Sequence, residues 1–180
     1  MEHNFYGEFT SQSIIRIDEN TVKVKSCMMV LDDNEIWFQP NEHVNSVGNT
    51  ILHLCGNIRQ YVISSMGGRT DIRERDLEFS TRGGFTNTEL VLKLSETLEE
   101  AKSIIASATE ENLQRQQIVQ KTSYSGIGII IHITEHYSYH TGQIILLTKL
   151  FRNMDMGFYA GKKFEYEKRS VDELKTNTQS

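Results

Sequence analysis

The stretch GIGIIIHITEHYSYHTGQIILLTKLFR, residues Gly126–Arg152, shows the pattern from which the fold can be predicted. Its apolar residues recur every three or four positions, and this spacing predicts one long amphipathic helix with a buried stripe. The stripe comprises Ile129, Ile133, His136 or Tyr137, His140, Ile144, Leu147 and Phe151. Two histidines therefore lie on a face that is expected to be buried.

Three further segments show the same helical spacing. They cover residues 4–31, residues 45–66 and a stretch that ends near residue 108. The last one follows Thr86, whose sequence TNTE matches a capping box, in which a threonine oxygen caps the helix and a glutamate bonds back. The chain holds one proline, so few positions break a helix. These features predict an all-α fold, an antiparallel four-helix bundle.

The connections between these helices differ in length. Residues 32–43 contain several turn formers. Residues 69–85 form a polar connection that is long for a compact domain, which makes it a candidate functional loop. The polar stretch 109–125 has no clear assignment. We expect one bundle domain over residues 1–155 and a polar, partly disordered tail over residues 156–180.

Charge and composition exclude some classes of function. The chain is 38% hydrophobic and carries a net charge of −5, so it is too apolar for global disorder. An acidic domain is a poor electrostatic match for a phosphate backbone, and we expect no nucleic-acid binding. The arginines near residues 69–82 alternate with acids, which largely cancels their charge.

The sequence also gives expectations about location. The longest apolar run, residues 127–131, is too short to span a bilayer, so no membrane partner is expected. Residues 1–9 carry acids and no apolar core, which predicts no signal peptide. Cys27 and Cys55 both lie within predicted helices, and such buried thiols suit a reducing cytoplasm.

Three histidines follow one another at intervals of four residues in the last helix: His132, His136 and His140. Residues four apart lie on the same helix face, about 5–6 Å apart at Cβ, so two imidazoles can bind one metal ion. His132 and His140 lie roughly 12 Å apart along the axis and cannot share an ion. Burial favours His136 and His140 as the pair, with His132 as an outer residue.

A third ligand must come from another helix. His53 lies in the middle of the second predicted helix, with Thr50 and Asn57 on the same polar side. We therefore predict a divalent metal site formed by His53, His136 and His140, while Cys55 is an alternative ligand or a small core residue. His3 and His43 are expected at the surface. Three structural histidines in a plain bundle remain the alternative.

A second pattern overlaps these histidines. His132-Ile-Thr-Glu135-His136 fits the inverted zinc-protease motif H-x-x-E-H, but so short a pattern is weak evidence. That site needs a further carboxylate, and the acids that follow lie in the polar tail. We therefore do not expect a protease.

Several neighbours are candidates for supporting roles. Asn57 could orient a substrate or a water, or simply bond a neighbouring helix. Gln143 could hold His140 through a hydrogen bond to its ring. Gly142 is expected to allow close helix approach. Arg73 could bind the carboxylate of an anionic thiol, although a solvated ion-pair network with the acids of its loop is the favoured alternative. Tyr137 is expected in the core and Tyr139 at the pocket rim.

Three motifs resemble the DinB/YfiT-like superfamily of metal-dependent four-helix bundles. They are LHLCGNIRQY at residues 52–61, the segment from Gly67-Gly68 to Glu78-Phe79, and the helix from His132 to Ile144 with its block HYSYHTGQI. The likeness spans about residues 4–151 and is greatest to an uncharacterised DinB-like branch. The histidine triad of that superfamily falls on His53, His136 and His140.

The resemblance implies a chemistry for the site. Characterised relatives include transferases and isomerases that use bacillithiol, mycothiol or glutathione. Three neutral imidazoles leave an open position at which a thiol can be held as thiolate, or a water activated as in a hydrolase. Zn²⁺ or Ni²⁺ is the expected ion, with Fe or Mn as alternatives. A non-catalytic metal-binding or stress-response interaction protein is the other reading, and a homodimer is expected.

Overall fold

The fold is known from a computed structural model that describes residues 4–160. Within this range the chain forms six α-helices and one β-hairpin. The helices are α1 (Phe5–Val30), α2 (Val47–Ile58), α3 (Arg75–Ser80), α4 (Asn87–Ala106), α5 (Glu110–Gln114) and α6 (Gly126–Arg152). The strands are β1 (Gln116–Val119) and β2 (Thr122–Ser125), and a 3₁₀ turn covers Glu35–Trp37.

Four long helices make the body of the molecule. Helix α1 packs on α4 and α6, and α2 packs on the same two helices. The predicted all-α bundle is therefore confirmed, and the core lies between the four inner faces. Its largest buried side chains include Ile17, Met28, Ile51, Leu54, Ile58, Leu94, Leu98 and Tyr137.

Local sequence explains where the helices begin. The Ser46 side chain accepts from the backbone N–H of Asn49 at the start of α2, and the Ser125 hydroxyl accepts from Gly128 N–H at the start of α6. The capping box predicted at Thr86 is present, since Glu89 bonds back to the Thr86 backbone. Helix α6 has the predicted bounds, because its start is capped and Asn153 ends it in a left-handed conformation.

The second predicted helix changes its winding half-way. After Ile58 the chain continues as a π-helical segment, Arg59–Met66, in which Gly67 N–H donates to Val62 O over five residues. Within this segment Tyr61 is 3% exposed, which agrees with its place on the apolar stripe of the predicted helix. A period of 3.6 residues cannot reveal such a segment from sequence, although π-helical turns often occur at functional sites.

Two connections hold more structure than expected. The polar loop predicted over residues 69–85 contains the short helix α3. The unassigned stretch 109–125 contains α5 and the β-hairpin, whose turn residues Gln120 and Lys121 both have positive φ. Such a turn normally contains Asn or Gly, and this sequence offers neither, so the hairpin was not predictable from turn residues.

The chain continues past the predicted end of the domain without leaving the core. Met156 and Phe158 are partly buried against it. Residues 1–3, with His3, lie outside the described residues. Residues 161–180, most of the tail that was predicted to be partly disordered, lie outside them as well. Within residues 4–160 the structure has no helix long and apolar enough to cross a membrane.

Gly142 does not serve the purpose predicted for it. It lies on an exposed part of α6, and a Cβ added there would meet nothing within 4 Å. The expectation of close helix approach is therefore wrong.

We expect Gly142→Ala to raise the free energy of unfolding by about 0.5–1 kcal/mol, because alanine costs less backbone entropy in a helix. Urea denaturation of the metal-free protein measures this change. An unchanged or lower stability would show that the added methyl group meets another surface.

Candidate metal centre

Helices α2 and α6 bring three histidines together. His53 Nε2 lies 3.0 Å from His136 Nε2, which lies 3.2 Å from His140 Nε2. Nearer the start of α6, Asn57 faces His132 in the same way. The order of these pairs shows that the two helices run antiparallel. The three histidines predicted as ligands from the sequence thus lie together between α2 and α6.

A carboxylate fixes the orientation of the first imidazole. His53 Nδ1 donates to Glu78 Oε2 at 2.9 Å. Arg73 Nη2 also lies 3.3 Å from this nitrogen, but it makes a shorter bond, 2.8 Å, to the same carboxylate oxygen. Since a guanidinium has donors only and a carboxylate accepts, the proton of His53 lies on Nδ1 and its Nε2 is free to bind a metal.

Arg73 holds that carboxylate in place. Its Nε donates to Glu78 Oε1 at 2.7 Å and its Nη1 donates to Gln60 Oε1 at 2.9 Å. The side chains of Arg73 and Glu78 are 3% and 8% exposed, so the solvated network expected from sequence is wrong for this pair. Burial alone would raise the pKa of Glu78, but Arg73 and His53 outweigh it and hold that pKa below its usual range. The substrate contact predicted for Arg73 would require this pair to open.

The amide of Gln143 plays the same part for the third imidazole. His140 Nδ1 donates to Gln143 Oε1 at 2.7 Å, which leaves His140 Nε2 unprotonated. Gln143 therefore makes the contact expected from its spacing. A catalytic role for Gln143 stays a prediction.

The proton count favours a cation among the three rings. Because His53 and His140 carry their protons on Nδ1, their Nε2 atoms are both acceptors. A proton on His136 Nε2 could satisfy one of them, but the other would still face a lone pair. One tetrahedral ion at about 2.0–2.1 Å from each nitrogen sets the nitrogens about 3.3 Å apart, close to the 3.0 and 3.2 Å that separate His136 Nε2 from the other two. The donor set therefore fits a divalent metal.

Burial keeps the imidazoles of His136 and His140 neutral. Desolvation, followed by the neighbouring imidazoles, lowers the pKa of His136 to about 3. Burial also lowers the pKa of His140, against the opposing effect of its bond to Gln143. Metals bind the neutral form of histidine, so both rings hold an available lone pair at neutral pH.

His132 lies beside the centre rather than in it. Its ring stacks on Tyr61 at 4.2 Å between centroids, and its Nε2 lies 3.4 Å from Asn57 Nδ2. Burial lowers its pKa. It thus occupies the outer position that spacing suggested, next to the ligand candidates.

The alternatives raised by the sequence find no support in the geometry. Glu135 lines a groove between α1 and α6 with Arg16 and Asn20, so the inverted protease motif does not assemble. Cys55 is buried outside the cluster, and burial raises the pKa of its thiol to about 12, which suits a core residue.

The two tyrosines next to the histidines lie where they were expected. Tyr137 is 1% exposed, and its hydroxyl shares a hydrogen bond with the Thr21 hydroxyl in the core. Tyr139 is exposed and contacts the edge of His140, at the rim.

Sequence reasoning missed the importance of Glu78 and Gly56. Glu78 was one of several acids in a polar loop, although it stands between two large apolar residues. Gly56 lies one turn from both His53 and Gln60, and a Cβ there would overlap Glu78 Oε1 and lie 2.7 Å from Glu78 Cδ. The absence of a side chain at residue 56 is what admits the carboxylate to the surface of α2.

The comparison with protein families places the chain in one family. Residues 4–160 match the family described as "Protein of unknown function (DUF1572)". The chain belongs to the DUF1572 family. No curated protein matches this DUF1572 chain.

A solved structure shows the same fold. The DinB-like protein YjoA from Bacillus subtilis superposes with a TM-score of 0.59 at 16% identity, over 82% of this chain and 94% of that one. At this identity the likeness concerns the fold alone. It confirms the predicted DinB-like fold.

We expect Gly56→Ala to lower the free energy of unfolding by about 1–3 kcal/mol, because the new methyl group displaces the Glu78 carboxylate. The intrinsic helix preference of alanine acts in the opposite direction. Urea denaturation of Gly56→Ala beside Gly142→Ala, the same change at an open position, separates the two effects. A Gly56→Ala protein as stable as Gly142→Ala would contradict the tight packing of Glu78 on α2.

Proposed function

We propose that this DinB-like protein binds one divalent metal ion through His53, His136 and His140, and that it is a metal-dependent enzyme acting on a small-molecule thiol. One observation carries the proposal. Three Nε2 atoms converge while acceptors hold the Nδ1 protons of His53 and His140. Zn²⁺ or Ni²⁺ suits an all-nitrogen donor set best, with Fe or Mn as alternatives.

The ligand set favours catalysis over a purely structural site. Three neutral imidazoles leave the full 2+ charge of an ion and a position that no protein ligand fills. When bound there, a divalent ion supplies a Lewis acid that favours the thiolate form of a thiol or the ionised form of a water. His136 and His140 are half-buried rather than enclosed, which allows a small molecule to approach.

The chain's own residues prepare this position. Glu78 and Gln143 hold the rings of His53 and His140 in fixed tautomers before any ion arrives, so little reorganisation is needed on binding. Phe79 packs against the ring of His53, 4.8 Å between centroids, and limits water on that side. These contacts orient the donors toward one point.

The choice of a thiol rests on the superfamily. Characterised DinB-like relatives use bacillithiol, mycothiol or glutathione, and a thiol S-transferase is the reaction class that we propose. A hydrolase would use the same open position with water. The cytoplasmic location and the homodimer expected from sequence belong to this proposal as well.

Cobalt titration tests both parts of the proposal. We expect wild-type protein to bind one equivalent of Co²⁺. Loss of a residue that only holds a ligand lowers metal affinity roughly 10–100-fold. His140→Ala removes a ligand itself, so its cobalt affinity should fall by more than that. His43→Ala is the matched control, because that side chain is 86% exposed. Adding bacillithiol, mycothiol or glutathione to the cobalt protein should produce a thiolate-to-cobalt charge-transfer band in the near ultraviolet.

Two results would contradict the proposal at different points. Equal cobalt affinity in wild type and His140→Ala would reject the metal site. A cobalt protein that shows no charge-transfer band with any of the three thiols would reject the thiol substrate and leave a hydrolase or a non-catalytic metal-binding protein.

A further inference from the structure

Asn57 is a buried amide that points from α2 toward α6. It lies one turn after His53 and is 4% exposed. Its Nδ2 lies 3.4 Å from His132 Nε2. Because an amide nitrogen only donates, His132 Nε2 must accept, and its lone pair is then engaged by Asn57 rather than available to a metal.

The other end of this amide lacks a protein partner. Asn57 Oδ1 is a buried acceptor with no hydrogen bond among the described residues. Buried polar groups are normally paired, so an orphaned one needs an explanation in terms of a group that it serves.

A complementary orphan lies on the facing helix. His136 Nδ1 is also buried and has no hydrogen-bond partner among the described residues. An imidazole that binds a metal through Nε2 carries its proton on Nδ1, and that proton needs an acceptor. His53 has Glu78 for this purpose and His140 has Gln143, so His136 is the ligand whose acceptor is still to be found.

The helix register places the two orphans in neighbouring turns of the interface between α2 and α6. Residue 53 faces residue 136, and residue 57 faces residue 132 one turn away. The rings of His132 and His136 stack at 5.4 Å between centroids, and Asn57 contacts the first of the two. Other buried acceptors in this corner are already engaged: Glu78 by His53 and Arg73, and Gln60 by Arg73.

We propose that Asn57 is a positioning residue of the metal centre, whose Oδ1 accepts the Nδ1 proton of His136 when the ion is bound. This inference rests on the proposed function, because the proton is required on Nδ1 only if Nε2 binds a metal. The same amide holds His132 through its other end. One side chain thus orients a ligand and keeps the neighbouring histidine out of the ligand set.

The arrangement also sets the charge of the centre. One imidazole has an anionic acceptor and the other two have neutral amides, so only one of the three ligands is supported by a carboxylate. A neutral acceptor at His136 fixes the ring without adding negative charge, which keeps the ion a strong electrophile.

Two variants and a spectroscopic readout test the role of Asn57. Asn57→Ala removes the acceptor, whereas Asn57→Asp keeps an acceptor oxygen at the same place. We expect the zinc Kd of Asn57→Ala to rise about 10–100-fold, measured by competition with a chromophoric chelator. Asn57→Asp should restore most of the affinity. Thermal unfolding of each metal-free variant checks that it folds, and His43→Ala is the control.

NMR of zinc-loaded protein with ¹⁵N-labelled histidine reads the hydrogen bond itself. We expect a slowly exchanging His136 Nδ1–H signal in wild type, lost to exchange with water in Asn57→Ala. An unchanged signal and wild-type affinity in Asn57→Ala would overturn this inference alone. Folded Asn57→Asp that binds zinc as weakly as Asn57→Ala would also overturn it. Wild-type protein that takes up no zinc would overturn the proposed function, and the inference with it.

Discussion

The hydrogen bond from His53 to Glu78 is the interaction on which the candidate metal centre depends. It sets the tautomer of His53. It also attaches the connection between α2 and α4 to the bundle, together with Arg73, which bonds both Glu78 and Gln60. The bond exists because residue 56 is glycine, which lets a carboxylate lie against the backbone of α2. The buried charge pair of Arg73 and Glu78 beside this bond stabilises little by itself, since desolvation offsets attraction. Its contribution is orientation.

Much of the fold could be predicted from sequence because the bundle is built on local rules. Apolar spacing located the four long helices, and a capping box located the start of α4. The same spacing identified His136 and His140 as neighbours on a buried face. The contact from His140 to Gln143 follows from their separation of three residues on one helix.

The remainder depends on contacts between distant segments, which periodicity does not describe. The hairpin turn at Gln120 and Lys121 uses positive φ without glycine or asparagine. The π-helical segment carries Tyr61, whose ring stacks on His132, although its sequence suits an ordinary helix. From sequence, Glu78 is one of several acids expected at the surface, and only the fold shows that its carboxylate packs against Gly56. The three histidines could therefore be predicted from sequence more readily than the residues that hold them.

The most direct test of the account is a crystal structure of zinc-soaked protein, with diffraction measured on both sides of the zinc absorption edge. We predict a single strong anomalous peak about 2.0–2.1 Å from Nε2 of His53, His136 and His140. The Glu78 carboxylate should remain on His53 Nδ1. A peak bound to Glu78 or His132 in place of one of these nitrogens, or no peak at the triad at equimolar zinc, would contradict the account.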